Sequence, residues 1–220
     1  MKKFIICLAN SYKYGGRCVG GISVEFSQNK DSFIVKRNNN GTPIWIRPIS
    51  SEEHGEISSE NVDNVEILDV LEIDVINHCP NNSHSENYKY SSIRKISRIN
   101  KTTSNLNNLC DTYHNKIFYN KGKAVPSDIF NDGNYSLMLI KPNEAILYRD
   151  YTNDERGKLR IKFTYNNIAY DLPITDPEFL RKKESIKNTE EEMNNCYLTI
   201  SLGEELDNWH YKLIAGVIEI

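Results

Sequence analysis

The first 24 residues constrain the fold most, because they join an apolar run to two pairs of glycines. Residues 4–9 are consecutive apolar residues, with the length and composition of a buried strand. The glycine pairs at 15–16 and 20–21 then bracket Arg17. Paired glycines permit positive φ angles and a close approach of two backbones. The stretch therefore predicts a strand, a bulged corner and a second strand, as in small sheets that curl into barrels.

Short alternating segments separated by turn residues continue along the chain. In residues 42–49, TPIWIRPI, isoleucines and a proline alternate with Trp45 and Arg47. This period of two indicates a strand. Turns are predicted at residues 29–31 and, between two alternating runs, at residues 166–167. Further apolar segments follow from residue 135 to the end of the sequence. The pattern is that of a chain built mostly from short strands.

One stretch in the middle of the chain has a different periodicity. Within residues 91–114, apolar side chains recur at spacings of three and four: Ile93, Ile96, Ile99, Leu106, Leu109 and Tyr113. This spacing is typical of helices. Ser91 or Ser92 can cap the first segment, and Ser104 the second. The stretch therefore predicts two short helices, or one helix broken near residue 102. A later dipeptide, Asp176-Pro177, is a signal for a helix start.

Two groups of about five short strands flank this helical stretch, which predicts a mostly β chain. Its 220 residues fit one large domain or two small ones of roughly 100 residues each. We predict an N-terminal OB-like barrel in residues 1–125, with the helical insert at about 91–114, and a C-terminal OB-like barrel in residues 126–220. An OB barrel combines five strands with a helix and often binds oligonucleotides.

Composition narrows the classes of function. The net charge is −3, which does not favour a non-specific coat on nucleic acid, although a local basic groove remains open. The five cysteines are odd in number, and neither a CxxC pair nor a Cys/His pair at zinc spacing occurs. We expect no signal peptide and no membrane helix, since only six apolar residues follow residues 1–3 and no apolar run approaches roughly 20 residues. We expect a soluble, reduced, cytoplasmic protein without a membrane partner.

The strongest candidates for ligand binding are Lys13, Arg17, Trp45 and Arg47. OB barrels bind single strands by combining aromatic stacking platforms with positive side chains. If the isoleucines on either side of Trp45 face the core, Trp45 and Arg47 face outward together. The alternative for Arg17 is a solvated side chain at an ordinary corner. The grouping predicts a groove in the first half of the chain that holds a phosphate and a base.

A second aromatic group is the segment Tyr88-Lys89-Tyr90, which mixes aromatic and basic residues. Tyr88 and Tyr90 can extend a stacking platform, or they can belong to a loop that packs its own tyrosines. The residues around His54 suggest either a metal cluster or a plain loop, and Cys18 is either a reactive thiol or an unactivated cysteine. Without a second histidine at helical spacing or an identifiable base, neither is favoured. The sequence predicts no catalytic residue, no metal, no cofactor and no enzyme.

Several segments, taken in order, resemble a known family. They are CLANSYKYGGRCVGG, WIRPIS, ILDVLEIDV, YDLPITDP and the closing LTISLGE and YKLIAGVI. Together they resemble the bacterial proteins with a dual OB-fold domain. The resemblance implies two OB-like barrels in one chain, binding of nucleic acid or a nucleotide, and placement among prokaryotic defence genes. It supplies no catalytic residues and maps no ligand contact onto residues 84–115.

Two functions follow as hypotheses. The first is a non-catalytic module that binds nucleic acid or a nucleotide through OB-like grooves, within a prokaryotic defence system. The alternative is an adaptor or sensor subunit whose grooves hold a protein partner from the same operon. The acidic net charge favours the alternative, whereas the pairing of Trp45 with Arg47 favours the first. DNA, RNA and a free nucleotide stay open as ligands, and so does the oligomeric state.

Overall fold

The computed structural model describes residues 1–26, 33–81, 83–129, 135–152, 154–187 and 189–220, so the turn predicted at residues 29–31 lies outside the described residues. Two helices are α1 Thr103–Leu109 and α2 Pro177–Lys182, and short 3-10 turns span Ser59–Asn61 and Ser127–Ile129. The strands are β1 Lys2–Lys13, β2 Gly16–Phe26, β3 Phe33–Val35, β4 Trp45–Ile49, β5 Asp69–His78, β6 Asn87–Arg98, β7 Ala124–Pro126, β8 Leu137–Ile140, β9 Glu144–Asp150, β10 Lys158–Tyr165, β11 Ile168–Pro173, β12 Glu191–Glu192, β13 Cys196–Leu206 and β14 Trp209–Glu219.

Five of the first six strands form a closed barrel. β1 pairs with both β2 and β5, β5 pairs with β6, and β4 joins β6 to β2. The pairing of β4 with β6 is parallel, and the others are antiparallel. The short β3 is added to the edge of β2. If β3 is left out, the neighbouring strands around the barrel are β1, β2, β4, β6 and β5, and β5 pairs with β1 again. Numbered by their order in the chain, these strands have the order 1-2-3-5-4 of a five-stranded Greek-key barrel of the OB type.

The second half repeats this order with a broken first strand. Its strands form two sheets, β11-β10-β9-β12 and β7-β14-β13-β8. The consecutive strands β8 and β9 act as one strand in two pieces, because β8 pairs with β13 and β9 pairs with β10. Ile174, just after β11, forms a parallel bridge with Ile214 in β14. The prediction of a mostly β chain with OB-like architecture is confirmed, with a closed barrel followed by a half-barrel.

The predicted helix over residues 91–114 is wrong in its first part. Residues Asn87–Arg98 form β6, and the α-helix is confined to Thr103–Leu109. Two irregularities in the pairing with β5 insert extra residues into β6, so Tyr90 pairs with Val75 but Ser92 already pairs with Asp74. Tyr90 and Ile93, which pack on the same cluster, are therefore three residues apart. Bulges thus give a strand the spacing that is typical of a helix.

Three clusters of buried side chains make up the core. One fills the first barrel and includes Ile5, Cys7, Ile46, Leu71 and Ile73. Another fills the second half and includes Leu147, Ile161, Phe163 and Leu198. The third, called the inter-barrel core below, joins the outer face of the first barrel to α1 and the second half; it includes Ile6, Leu8, Ile22, Val24, Trp45, Leu106, Leu109, Leu137, Leu139, Tyr197 and Ile218. Because α1 packs in this shared core, the domain boundary at residue 125 stays a prediction.

Several local features that the sequence predicts are confirmed. The turn between β10 and β11 places Asn166 and Asn167 at φ 48° and 61°, the left-handed region that asparagine tolerates. The Asp176 carboxylate caps α2 by accepting hydrogen bonds from the backbone N–H groups of Glu178 and Phe179. Gly16 is closely packed, since a Cβ there would lie 2.6 Å from the Ile57 carbonyl oxygen. Each of these features depends on residues close in sequence or on one tight contact.

Candidate functional site

The usual ligand face of an OB barrel is formed by its second and third strands together with two flanking loops. In the first barrel these strands are β2 and β4. Their outward side chains include Ile22, Val24 and Trp45, all buried in the inter-barrel core. The second half of the same chain therefore covers the centre of this face. Access for a ligand remains at the margins, where several cavities open between the two halves.

Trp45 and Arg47 lie on one side of β4 and Ile46 on the other, as the alternation predicts. The expectation that this outward side faces solvent is wrong, because Trp45 is 8% exposed and Arg47 is 3% exposed. Alternation in a sequence reports which residues share a face of a strand. It does not report what a distant part of the chain packs against that face.

Arg47 belongs to a buried polar network that links the two halves. One terminal nitrogen, Nη2, lies 3.0 Å from Glu86 Oε1, and it donates hydrogen bonds to the hydroxyls of Ser136 and Ser201 at 3.0 Å and 3.4 Å. The Ser136 hydroxyl donates a short hydrogen bond to the same carboxylate. Glu86 therefore neutralises the charge of Arg47 away from solvent.

Lys13 and Arg17 lie elsewhere. The ammonium of Lys13 pairs with Glu204 at 2.8 Å. The guanidinium of Arg17 lies over the ring of Tyr12, 4.8 Å from its centroid, and lines a cavity of about 590 Å³ that neither Trp45 nor Arg47 reaches. Lys13 shares two other cavities with Arg47, whereas Trp45 lines none of these three. A ligand role for each of these candidates stays a prediction.

Trp45 and Tyr88 do come together, in a cavity of about 460 Å³ that we call the aromatic pocket. Six ring side chains line it: Trp45, His78, Tyr88, His114, Tyr119 and Tyr135. Two pairs of these rings are stacked. His78 and Tyr88 have centroids 4.5 Å apart, and His114 and Tyr135 have centroids 4.1 Å apart. The pocket is therefore lined by rings from both halves of the chain.

The polar groups of the aromatic pocket are already organised. His114 Nδ1 and Asp111 Oδ2 lie 2.7 Å apart, and Asp111 Oδ1 accepts hydrogen bonds from the backbone N–H groups of Tyr113 and His114. Burial alone would raise the pKa of Asp111, but the hydrogen bonds from His114 and Tyr113 lower it. Burial also raises the pKa of Tyr119 to about 12, so its hydroxyl stays protonated at neutral pH. Among the described residues, no lysine or arginine lines the aromatic pocket.

A second region, called the hairpin cleft, lies where the β1–β2 hairpin meets the β13–β14 hairpin. It consists of two adjoining cavities of about 740 Å³ and 350 Å³. Lys13, Arg47, His84, Glu204 and Glu205 line both. Burial lowers the pKa of His84 well below its usual value, with a further contribution from the Arg47 charge, so this imidazole is neutral. The described residues contain no group of three or more side chains placed to hold a metal ion.

A family model for the dual OB-containing domain matches residues 3–217, nearly the whole chain. The chain belongs to the dual OB-containing domain family. This confirms the resemblance seen in the sequence. No curated protein matches the chain at a significant level. In the part of this dual OB-containing domain that the structure describes, neither helix has the length and apolar character needed to span a membrane.

Two solved structures are similar to this dual OB-containing domain over nearly their whole lengths. One, described as the molecular basis for abrogation of activation of pro-inflammatory cytokines, is 9% identical with a TM-score of 0.34, and 98% of this chain and 93% of that chain are covered. The other, described as a murine DNA binding protein bound with ds DNA, is 8% identical with a TM-score of 0.33, at 100% and 98% coverage. Scores this low support no conclusion about function.

The sequence does not single out four of the rings in the aromatic pocket: His78, His114, Tyr119 and Tyr135. Three of them lie in or beside the turn-rich connection between the halves, where no periodic pattern marks them. Tyr90, by contrast, is predicted with Tyr88 but does not line the pocket. Its side chain packs against the interior of the first barrel and hydrogen-bonds Asn61. Tyr88 packs against the same interior cluster but also lines the pocket, and the register shift between the two tyrosines is an extra residue in β5.

Proposed function

We propose that this dual OB-containing domain binds single-stranded nucleic acid or a nucleotide by taking an unpaired base into the aromatic pocket. The observation that carries the proposal is the lining of one cavity by six rings, two pairs of them stacked, at the margin of the OB ligand face. Stacking a base on an aromatic side chain contributes roughly 1–3 kcal/mol and tolerates any base. OB barrels in general place single strands beside such rings.

The size and charge of the aromatic pocket favour a base over a phosphate. Its volume of about 460 Å³ lies within the usual range for small-molecule sites. Among the described residues its lining holds no lysine or arginine, so few counterions are released when the ligand enters. We therefore expect binding that depends weakly on salt, and we expect a nucleoside to compete with an oligonucleotide.

The proposed role is binding without catalysis. In the pocket, the buried Asp111 carboxylate already accepts hydrogen bonds from the backbone N–H groups of Tyr113 and His114 and lies 2.7 Å from His114 Nδ1. We assign this pair the role of fixing the His114 ring in the pocket wall. A place in a prokaryotic defence system stays an expectation that rests on the family resemblance.

The test compares two neighbouring tyrosines of β6. Tyr88→Leu removes a ring from the aromatic pocket, whereas Tyr90→Leu removes a similarly half-buried ring that does not line it. Fluorescence anisotropy with labelled DNA and RNA oligonucleotides, with nucleosides as competitors, measures the affinities at several salt concentrations. Tyr88→Leu should weaken binding about tenfold, the loss expected for one stacked base, while Tyr90→Leu should leave it unchanged.

Thermal melting of both variants checks that each one folds. Equal losses in the two variants would show that the tyrosines act through the stability of the barrel and not through the pocket. If the wild-type protein binds no oligonucleotide, nucleotide or nucleoside even at low salt, the proposed function is wrong.

A further inference from the structure

The tips of the two hairpins at the hairpin cleft carry a concentration of exposed apolar side chains. Five of them are between 40% and 63% exposed: Tyr12, Tyr14, Leu206, Trp209 and Tyr211. Four of these, all except Trp209, line one cavity of about 350 Å³, with Leu202, Leu213 and Ala215 also in its wall. Contiguous apolar surface of this kind marks interaction sites on soluble proteins.

The two hairpins are held together, so the cleft is a fixed feature of the fold. Lys13 in β1 pairs with Glu204 in β13 at 2.8 Å. The ring of Tyr14 stacks on His54 with centroids 3.9 Å apart, and its hydroxyl hydrogen-bonds Glu204. These contacts tie the turn of the first hairpin to the strand of the second.

The backbone conformation at Tyr14 is unfavourable for a tyrosine. Tyr14 has φ 44°, in the left-handed region, and occupies the first position of a two-residue turn. The same position in two other hairpins holds Asn166 and Asp207, residue types that adopt this conformation readily. A bulky residue held in this conformation is strained, and such strain is concentrated at binding sites.

The rim of the cleft is acidic. Glu52, Glu53, Glu204 and Glu205 line the adjoining cavity of about 740 Å³. Its lysine and arginine side chains are Lys13 and Arg47, which are already paired with Glu204 and Glu86, and the exposed Lys89, one cation against three further glutamates. Across the described ranges of the chain, Glu52, Glu53 and Glu205 make no ion pair. The rim therefore repels phosphates and attracts ammonium and guanidinium groups.

We propose that the hairpin cleft binds a segment of another protein that carries apolar side chains flanked by lysine or arginine. The apolar side chains of the segment occupy the space between Tyr14, Leu206 and Tyr211. Its cations face Glu52, Glu53 and Glu205. Apolar anchors in the centre and complementary charges at the rim are the usual anatomy of a protein interface. This site is separate from the aromatic pocket and does not depend on nucleic-acid binding there.

The experiment selects random twelve-residue peptides displayed on phage against the immobilised full chain. Enriched peptides are synthesised, and their affinities are measured by fluorescence anisotropy. We expect apolar residues next to lysine or arginine in the enriched sequences. Leu206→Ser should weaken their binding about tenfold or more, as for a central interface residue. The triple variant E52Q/E53Q/E205Q should weaken it and reduce its salt dependence.

A matched control is Ile76→Ser. Ile76 is 64% exposed, close to the exposure of Leu206, but it lies on β5 and lines neither cavity of the cleft. This variant and Tyr88→Leu should both leave peptide affinity unchanged. A second variant of the cleft, Tyr14→Asn, fits the turn better than tyrosine and should still weaken peptide binding.

Two results would overturn the proposal. One is that no peptide is enriched, or that the enriched peptides bind Leu206→Ser and Ile76→Ser equally well. The other comes from a labelled oligothymidylate measured on the same variants. If Leu206→Ser abolishes its binding and the triple glutamine variant strengthens it, the cleft is a nucleic-acid groove and not a protein-binding site.

Discussion

The two barrels share one strand order but are closed in different ways. In the first, β1 pairs with β2 over nearly its whole length and with β5 over its first half, so paired backbones run right round the barrel. In the second, the first strand is split into β8 and β9, and the third strand meets the fifth through the bridge between Ile174 and Ile214. The same order of strands is thus closed by continuous pairing in one half and by short links in the other.

The side chains that fill the interiors of the two barrels also differ. The first barrel is filled by small aliphatic side chains such as Ile5, Ile46 and Ile73. The core of the second half contains rings, among them Phe163 and Tyr170. We infer that the second half depends more on side-chain packing, including the packing against the first barrel.

The largest effect is expected at the buried ion pair that joins the halves. Arg47→Ala leaves the Glu86 carboxylate buried without its partner, and breaking such a pair costs about 3–5 kcal/mol of unfolding free energy. The double variant Arg47→Met/Glu86→Leu removes both charges and should recover most of this loss. Urea denaturation measures all three proteins. A loss below about 1 kcal/mol in Arg47→Ala would show that the pair does not hold the halves together.

A smaller effect is expected where the two barrels touch backbone to backbone. A Cβ at Gly216 in β14 would overlap the Leu8 carbonyl oxygen in β1, so Gly216→Val should cost about 1–3 kcal/mol through forced shifts. Gly203→Val on β13 is the control, because a Cβ there would lie 3.5 Å from the nearest atom, an ordinary contact. Hydrogen exchange should show both halves opening together in Gly216→Val. Equal stability of the two variants would mean that β14 moves away from β1 at no cost.

The sequence predicts the local parts of this architecture well, for a physical reason. A period of two, the turn at Asn166-Asn167 and the cap at Asp176 depend on neighbouring residues, and each is present as predicted. The burial of Arg47 and the aromatic pocket depend on contacts between residues far apart in the chain. Ser136 and Ser201, for example, lie 89 and 154 positions from Arg47 in the sequence. No local pattern encodes which outward face of one barrel the other half of the chain will cover.

The misassigned helix at residues 91–98 has a different cause. A bulge in β6 separates the inward side chains of Tyr90 and Ile93 by three residues, whereas Ile96 is exposed, and the ladder with β5 decides the conformation. The sequence contains the spacing but not the partner strand. Sequence reasoning therefore failed there because one spacing is compatible with two structures.

Lys212, in the second half, should make the unfolding free energy depend on pH. Its side chain is buried at 1% exposure, and burial lowers its pKa to about 7 from an ordinary value near 10.5. The unfolded chain then binds more protons than the folded one between pH 7 and pH 9. The unfolding free energy should rise by about 2 kcal/mol over that interval as the pH rises.

The control for this dependence is Lys212→Met, which has no titrating amine and should lose the rise. Denaturation at matched pH values measures the difference between the two proteins. The ammonium group of Lys212 donates to the carbonyl and side-chain oxygens of Asn120 at 2.8 Å and 2.9 Å, and the variant gives up these hydrogen bonds at every pH. A parallel offset between the two curves, without a change of slope, would show that Lys212 does not titrate in this range.

The smallest effect on stability is expected for substitutions in one hairpin turn of each half. Tyr14, in the first barrel, and Asn166, in the second, have φ 44° and 48° at the same position of two-residue hairpin turns. Asparagine tolerates this conformation and tyrosine does not, so Tyr14→Asn should stabilise the fold by about 0.5 kcal/mol, and Asn166→Tyr should destabilise it by about 1 kcal/mol. The gain at Tyr14 is reduced because its stacking on His54 is lost. Thermal melting of both variants tests the pair. If Tyr14→Asn lowers stability instead, the ring holds the hairpin in place, and strain at this turn is no argument for a binding role.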